Sequence, residues 1–249
     1  MIKLYKIYKE LTEGIKLSDN NKYEVDYTKD TVNDLIRLSD ELSYRKNDYG
    51  DIVMIGIPVQ KSENKSRLIN DLKKGTNITP DVISTVTDRI ISNLTNRVDI
   101  NDFDYIVAPK SSSNLTKEFI DKLKTIATTP TFISDLFLKN DVDKIWVDIN
   151  TASKELSNKY LRKLIKDFER SKGLGGQPIK LQPMTNFQRK YVKDMLKINP
   201  EYDNVLVDML DKKILVIDDV LTSGKTLNDI KLILSSLNTN EIISFVMFG

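Results

Sequence analysis

Two adjacent carboxylates, Asp218 and Asp219, end the apolar run 214–217 (ILVI), and the turn Thr222-Ser223-Gly224-Lys225-Thr226 follows before a helical pattern begins. A strand that runs through such a turn into a helix makes a phosphate cradle. The first-turn N–H groups carry about half a positive charge, glycine admits close backbone approach, and Thr and Ser hydroxyls complete the oxygen contacts. Carboxylates beside that cradle would repel a bare phosphate. They suit a sugar phosphate, whose hydroxyls donate to the acids while its phosphate enters the turn. One ligand then accounts for both halves of the segment.

Two other readings compete. Gly224-Lys225-Thr226 matches the end of a nucleotide-binding P-loop, but the first glycine of that pattern falls on Asp219, whose charge would face the nucleotide phosphates. The plainer alternative makes the acid pair a strand end and Gly224 a turn. It leaves the adjacent carboxylates without a purpose.

Composition narrows the chemistry further. Among 249 residues there is no Cys and no His, which removes disulfides, thiolate metal sites and imidazole bases. Carboxylates, Lys, Arg, hydroxyls, backbone amides and a hard cation such as Mg²⁺ remain. The 38 Lys and Arg nearly cancel the 36 Asp and Glu, so the net charge of +2 supplies no global field for nucleic acid or anionic membrane. No apolar run approaches the ~20 residues of a membrane span, and a cytoplasmic protein is the expectation.

The elements that must position these groups follow from periodicity. Residues 1–78 read as mixed α and β: an amphipathic start, the alternating segment 22–28 (KYEVDYT), a helix carrying Val32, Leu35, Ile36, Leu38 and Leu42, and a strand within 51–59. The polar stretch 60–66 (QKSENKS) reads as an exposed loop. At Thr79-Pro80-Asp81 an N-cap, a Pro at N1 and an acidic first turn open a helix with Val82, Val86, Ile90 and Leu94 on one face. Strands are expected at 103–109, 131–138, 144–149, 213–218 and 242–248, and helices at 115–126, 153–170, 187–196 and 226–237. Strands alternating with helices imply βαβ units, a mostly parallel twisted sheet flanked by helices, and ligands beyond the carboxyl ends of its strands. The division expected is an N-terminal α+β extension at 1–78 and an α/β core at 79–249 with a long insertion or lid at about 138–212.

A second anion loop lies at the end of the strand 103–109, where Lys110, Ser111, Ser112, Ser113 and Asn114 precede a helix. A Ser-rich stretch of this kind is by itself often only a turn. The Gly-rich segment 172–178 follows a helix instead of a strand, so it is no dinucleotide fingerprint; it is either a linker or a hinged lid.

The run 214–227 (ILVIDDVLTSGKTL) resembles, without a gap, the phosphoribosyl pyrophosphate motif of the type I phosphoribosyltransferases. The resemblance implies that Asp218 and Asp219 hold the ribose hydroxyls and that Leu221, Thr222, Ser223, Gly224, Lys225 and Thr226 wrap the 5-phosphate. It also implies that Lys110, Ser111, Ser112 and Ser113 form the pyrophosphate loop and that 172–178 is the active-site lid, with Lys172, Lys180, Gln188 and Arg189 in reach of the leaving group. The activity implied is phosphoribosyl transfer to a nitrogenous base with release of pyrophosphate, and Mg²⁺ held mainly by the substrate rather than by protein ligands. The acceptor would be recognised by 1–78 or by the insertion. Tyr44, Tyr49, Trp146 and Tyr160 are candidates to stack on it. Members of the family often form dimers, so a homodimer is an option. The alternative is a catalytically silent regulator or structural protein that keeps the fold.

Overall fold

The computed structural model describes residues 14–18, 20, 22–26, 36–37, 41–58, 63–111, 113–172 and 183–249. The chain opens with strands β1 (Gly14–Leu17), β2 (Tyr23–Asp26), β3 (Ile36–Arg37), β4 (Ser43–Lys46) and β5 (Ile52–Ile57). Helices α1 (Glu63–Lys74) and α2 (Pro80–Thr95) lead to β6 (Tyr105–Pro109), α3 (Asn114–Ile126) and β7 (Thr131–Lys139). Then come β8 (Trp146–Val147), α4 (Ile149–Glu155), α5 (Asn158–Ser171), α6 (Asn186–Arg189), β9 (Val192–Lys193) and β10 (Leu196–Ile198). The last elements are α7 (Asp203–Asp208), β11 (Lys213–Val220), α8 (Lys225–Ser235) and β12 (Glu241–Phe248).

A 7-stranded sheet in the order β10-β7-β6-β11-β12-β5-β4 forms the centre. Strands β7, β6, β11, β12 and β5 run parallel, and the outer strands β10 and β4 are antiparallel to their neighbours. Apolar runs such as ILVI in β11 suit this place because helices cover both faces. Successive side chains of a strand point to opposite faces, and β11 divides accordingly. Leu215 and Ile217 pack with Phe119, Ile90 and Phe245 beneath α1, α2 and α3, whereas Ile214 and Val216 pack with Leu227, Ile230 and Leu234 of α8. Cutting Ile214, Leu215 or Ile217 to Ala would cost about 2–5 kcal/mol.

A third cluster belongs to a cap built between β7 and β10. Ile145, Val147, Ala152, Leu164, Phe168, Tyr191 and Val192 pack together there, joined by the ribbon that pairs β8 with β9.

Several local expectations are corrected. The segment 60–66 is not simply a loop, because α1 begins at Glu63. Ile36 lies in β3, paired with Ile15 of β1, and not in a helix; most of the rest of that expected helix lies outside the described residues. The expected helix 153–170 is two helices, since Leu156 and Ser157 are extended and Asp148 caps α4 from an earlier start. The expected helix 187–196 stops after α6: Asp194 sits at φ 57, and the chain enters β9 and β10. The sheet also takes β4 and β5 from before residue 79.

Candidate functional site

The carboxyl ends of β6 and β11 lie side by side, because Tyr105, Ile106 and Val107 pair with Ile214, Leu215 and Val216. The two loops singled out from sequence therefore open onto one cavity of about 610 Å³. Lys110, Ser111 and Ser113 line it from β6, and Asp218, Asp219 and the turn Leu221 to Thr226 line it from β11. Ser112 and the Gly-rich segment 173–178 lie outside the described residues.

Strand β11 runs through the acids to Val220. The N–H of Asp219 donates to Oδ1 of Asp218 at 2.9 Å, which fixes one carboxylate against the backbone of the next residue. Oδ2 of Asp219 meets the ammonium of Lys73 at 2.7 Å. Asp219 shares its parity along the strand with Leu215 and Ile217, on the face that α1 covers. Burial first, and the charge of Asp219 second, push the Asp218 carboxyl from its ordinary 3.8 up to about 7; the Asp219 N–H and Lys73 oppose that rise.

Gly224 caps α8 at φ 78, a conformation that glycine adopts at little cost. It has a steric role as well. A Cβ there would lie 2.7 Å from Cβ of Asn47, so the hairpin between β4 and β5 presses directly on the turn. Asn47 is fixed in that hairpin, its Oδ1 accepting from the N–H groups of Tyr49 and Asp51 at 2.9 and 3.0 Å. The N–H of Asp48 adds a bond to the carbonyl of Ser223 at 3.3 Å.

Other groups in the turn are committed inward. The Leu221 N–H extends the sheet to the carbonyl of Phe248. Lys225 is 7% exposed and its ammonium pairs with Asp229 one helical turn on, so this side chain serves the interior of α8. Burial lowers the Lys225 pKa and raises that of Asp229, each shift opposed by the partner's charge. Ser223 is buried as well, its hydroxyl accepting from the Lys225 N–H at 3.3 Å, so what the turn offers a ligand is the remaining first-turn amides of α8 and the hydroxyls of Thr222 and Thr226. In the neighbouring loop, Ser113 is buried and its hydroxyl caps α3 by accepting from the Thr116 N–H, which leaves Lys110 and Ser111 as the outward members among the described residues.

The structure separates the remaining candidates. Arg189 lines the cavity. Gln188 is buried in the cap: it completes a capping box with Thr185, and its Nε2 donates to Asp167 at 2.9 Å. Lys172 pairs with Glu169 and lies over the Phe168 ring, and Lys180 lies outside the described residues. Tyr44, Trp146 and Tyr160 are largely exposed and do not line the cavity, whereas the aromatic side chain that does is Phe137. The Tyr49 hydroxyl is buried behind the turn, where burial and the nearby Asp229 raise its pKa. Reading the sequence missed Asn70, Lys73 and Lys74 of α1 and Lys139 of β7, which complete the basic side of the cavity.

No protein-family model matches the chain, and a search of curated proteins gives no match either. No helix among the described residues is long and apolar enough to cross a membrane.

Proposed function

We propose that this cavity binds phosphoribosyl pyrophosphate and that the protein transfers its phosphoribosyl group to a nitrogenous base, in the manner of the type I phosphoribosyltransferases that 214–227 resembles. The observation that carries the reading is the convergence of the acid pair, the glycine-capped turn and the Lys110 loop on one cavity. Asp218 and Asp219 accept from the ribose hydroxyls, and the α8 amides with Thr222 and Thr226 receive the 5-phosphate. The C1–O bond breaks with its electron pair leaving on pyrophosphate. The acceptor nitrogen forms the new bond to C1, and the acceptor's proton passes to water. The negative charge of the acid pair favours the cationic character that develops at C1. No side chain acts as a covalent nucleophile. Catalysis rests on positioning and charge.

The donor set fits Mg²⁺ held mainly by substrate oxygens. Asp218, Asp219 and Asp229 line the cavity, and Asp229 is taken by Lys225, so Asp218 and Asp219 are the carboxylates that could add an oxygen to an ion carried by the substrate. Bound there, Mg²⁺ would offset the charge of the departing pyrophosphate.

Calorimetric titration with phosphoribosyl pyrophosphate and Mg²⁺, followed by a pyrophosphate-release screen across nucleobases, tests the reading. Binding with release for one base is the expected result. Binding without release would make the protein a sensor of the same ligand, and absence of binding would sink the proposal.

A further inference from the structure

Helix α1, which precedes the first strand of the anion loops, brings a cation into the cavity that no motif accounts for. We infer that Lys73 is the pyrophosphate-side ligand of this site, so that a helix from the N-terminal region completes the leaving-group subsite. The inference rests on the sugar-phosphate reading above.

The position of Lys73 is built, not incidental. Leu68 and Leu72 bury one face of α1 in the main core. The end of the helix is pinned to the start of α3, because Nδ2 of Asn114 donates to the carbonyl of Lys74 at 3.4 Å. Gly75, at φ 66, permits that approach; a Cβ there would stand 2.3 Å from the same Nδ2. Thr76 donates to Asp71 at 2.9 Å and closes the turn. The start of α3 is where Ser113 ends the Lys110 loop. Lys73 is therefore fixed on the same wall as Lys110 and Ser111, and its ammonium spans from that wall to Asp219.

A lysine in the last turn of a helix commonly does no more than complement the helix dipole. This one is turned into the cavity and rests on the acid that would hold the sugar. Once the ribose hydroxyls donate to Asp219, the ammonium can turn on its four-carbon stem to a phosphate oxygen while α1 stays in place. A cation at that boundary lowers the repulsion between a multiply anionic leaving group and the two carboxylates beside it. Lys73 supplies charge to the departing oxygen.

The test separates the two halves of the ligand. Lys73→Met and Lys73→Arg are compared with the unaltered protein by calorimetry against Mg-pyrophosphate and, separately, against ribose 5-phosphate, with melting temperatures to verify folding. Lys73→Met should weaken Mg-pyrophosphate by roughly tenfold or more, the scale of one charge-assisted hydrogen bond. It should leave ribose 5-phosphate within about twofold, and Lys73→Arg should restore most of the lost affinity. Unchanged pyrophosphate affinity in Lys73→Met would overturn the assignment. So would an equal loss for both ligands, which would make Lys73 a strut for Asp219, or an unaltered protein that binds ribose 5-phosphate but not pyrophosphate. An unaltered protein that binds neither would overturn the underlying reading.

Discussion

The carboxyl end of the sheet and the cap between β7 and β10 are both rich in charged and polar side chains, yet they use them in opposite ways. In the cap these groups are spent on one another. Asp167 takes Lys163 at 2.6 Å and Gln188 at 2.9 Å, Glu155 takes Lys190 and Tyr191, and Trp146 donates to Asp194. At the sheet, Asp218, Lys110, Ser111 and the α8 amides face a cavity, and the ion pair between Lys73 and Asp219 opens onto it, whereas that between Lys225 and Asp229 is buried. Polar density alone does not mark a site. Polar groups arranged around a space do.

The sharpest way to break this contrast is the double variant Asp218→Asn/Asp219→Asn. It should reduce affinity for phosphoribosyl pyrophosphate by at least a hundredfold, since two charge-assisted hydrogen bonds of about 1.5–3 kcal/mol each are lost. A folded double variant with normal affinity would mean that the acids are as structural as those of the cap.

Gly224→Val comes next. Positive φ and the contact with Asn47 together should cost about 2–4 kcal/mol of stability, read as a lowered denaturation midpoint, and should displace the turn that receives the phosphate.

A smaller effect isolates Asp218 in the absence of ligand. Its carboxyl holds a proton more tightly folded than unfolded, so folded-state stability falls as pH rises from about 4 to about 7 and stays reduced above that. Asp218→Asn should consequently raise the melting temperature at pH 8 and change it little at pH 4, a difference on the order of 2 kcal/mol after solvent screening. A pH-independent effect would show that Asp218 titrates as an ordinary carboxylate.

The mildest test lies in the cap. Gln188→Ala should destabilise it by about 1–2 kcal/mol, through loss of the capping box and of one bond to Asp167, and leave ligand affinity unchanged. A loss of affinity would join the cap's polar network to the site.

How far the sequence could be read follows from the kind of signal each segment carries. Strand β11, its acids and α8 were legible because the apolar run, the glycine and the helical period agree with one another. The start of α1 was not, since Glu63, Asn64, Lys65 and Ser66 offer no apolar period, and Lys73 was overlooked with its helix. In 187–196, Phe187, Tyr191, Val192 and Met195 keep a helical spacing, but Asp194 at φ 57 and the pairing of Val192 with Val147 draw the chain into strands. Tertiary pairing outweighed local period there. Gln188 and Lys225 show the same limit at single residues. Their types suit a site, but only the packing reveals that each is bonded within its own element or cap.

The place of β5 has a consequence for biosynthesis. Its parallel partner is β12, and Ile57 pairs with Phe248, about 190 residues further along the chain. At ordinary translation speeds the apolar strand β5 would wait roughly 10 to 40 s for that partner to be made. During that interval Val53, Ile55 and Ile57 are available to any other strand edge, which makes this segment the point at which a newly made chain would most depend on a chaperone.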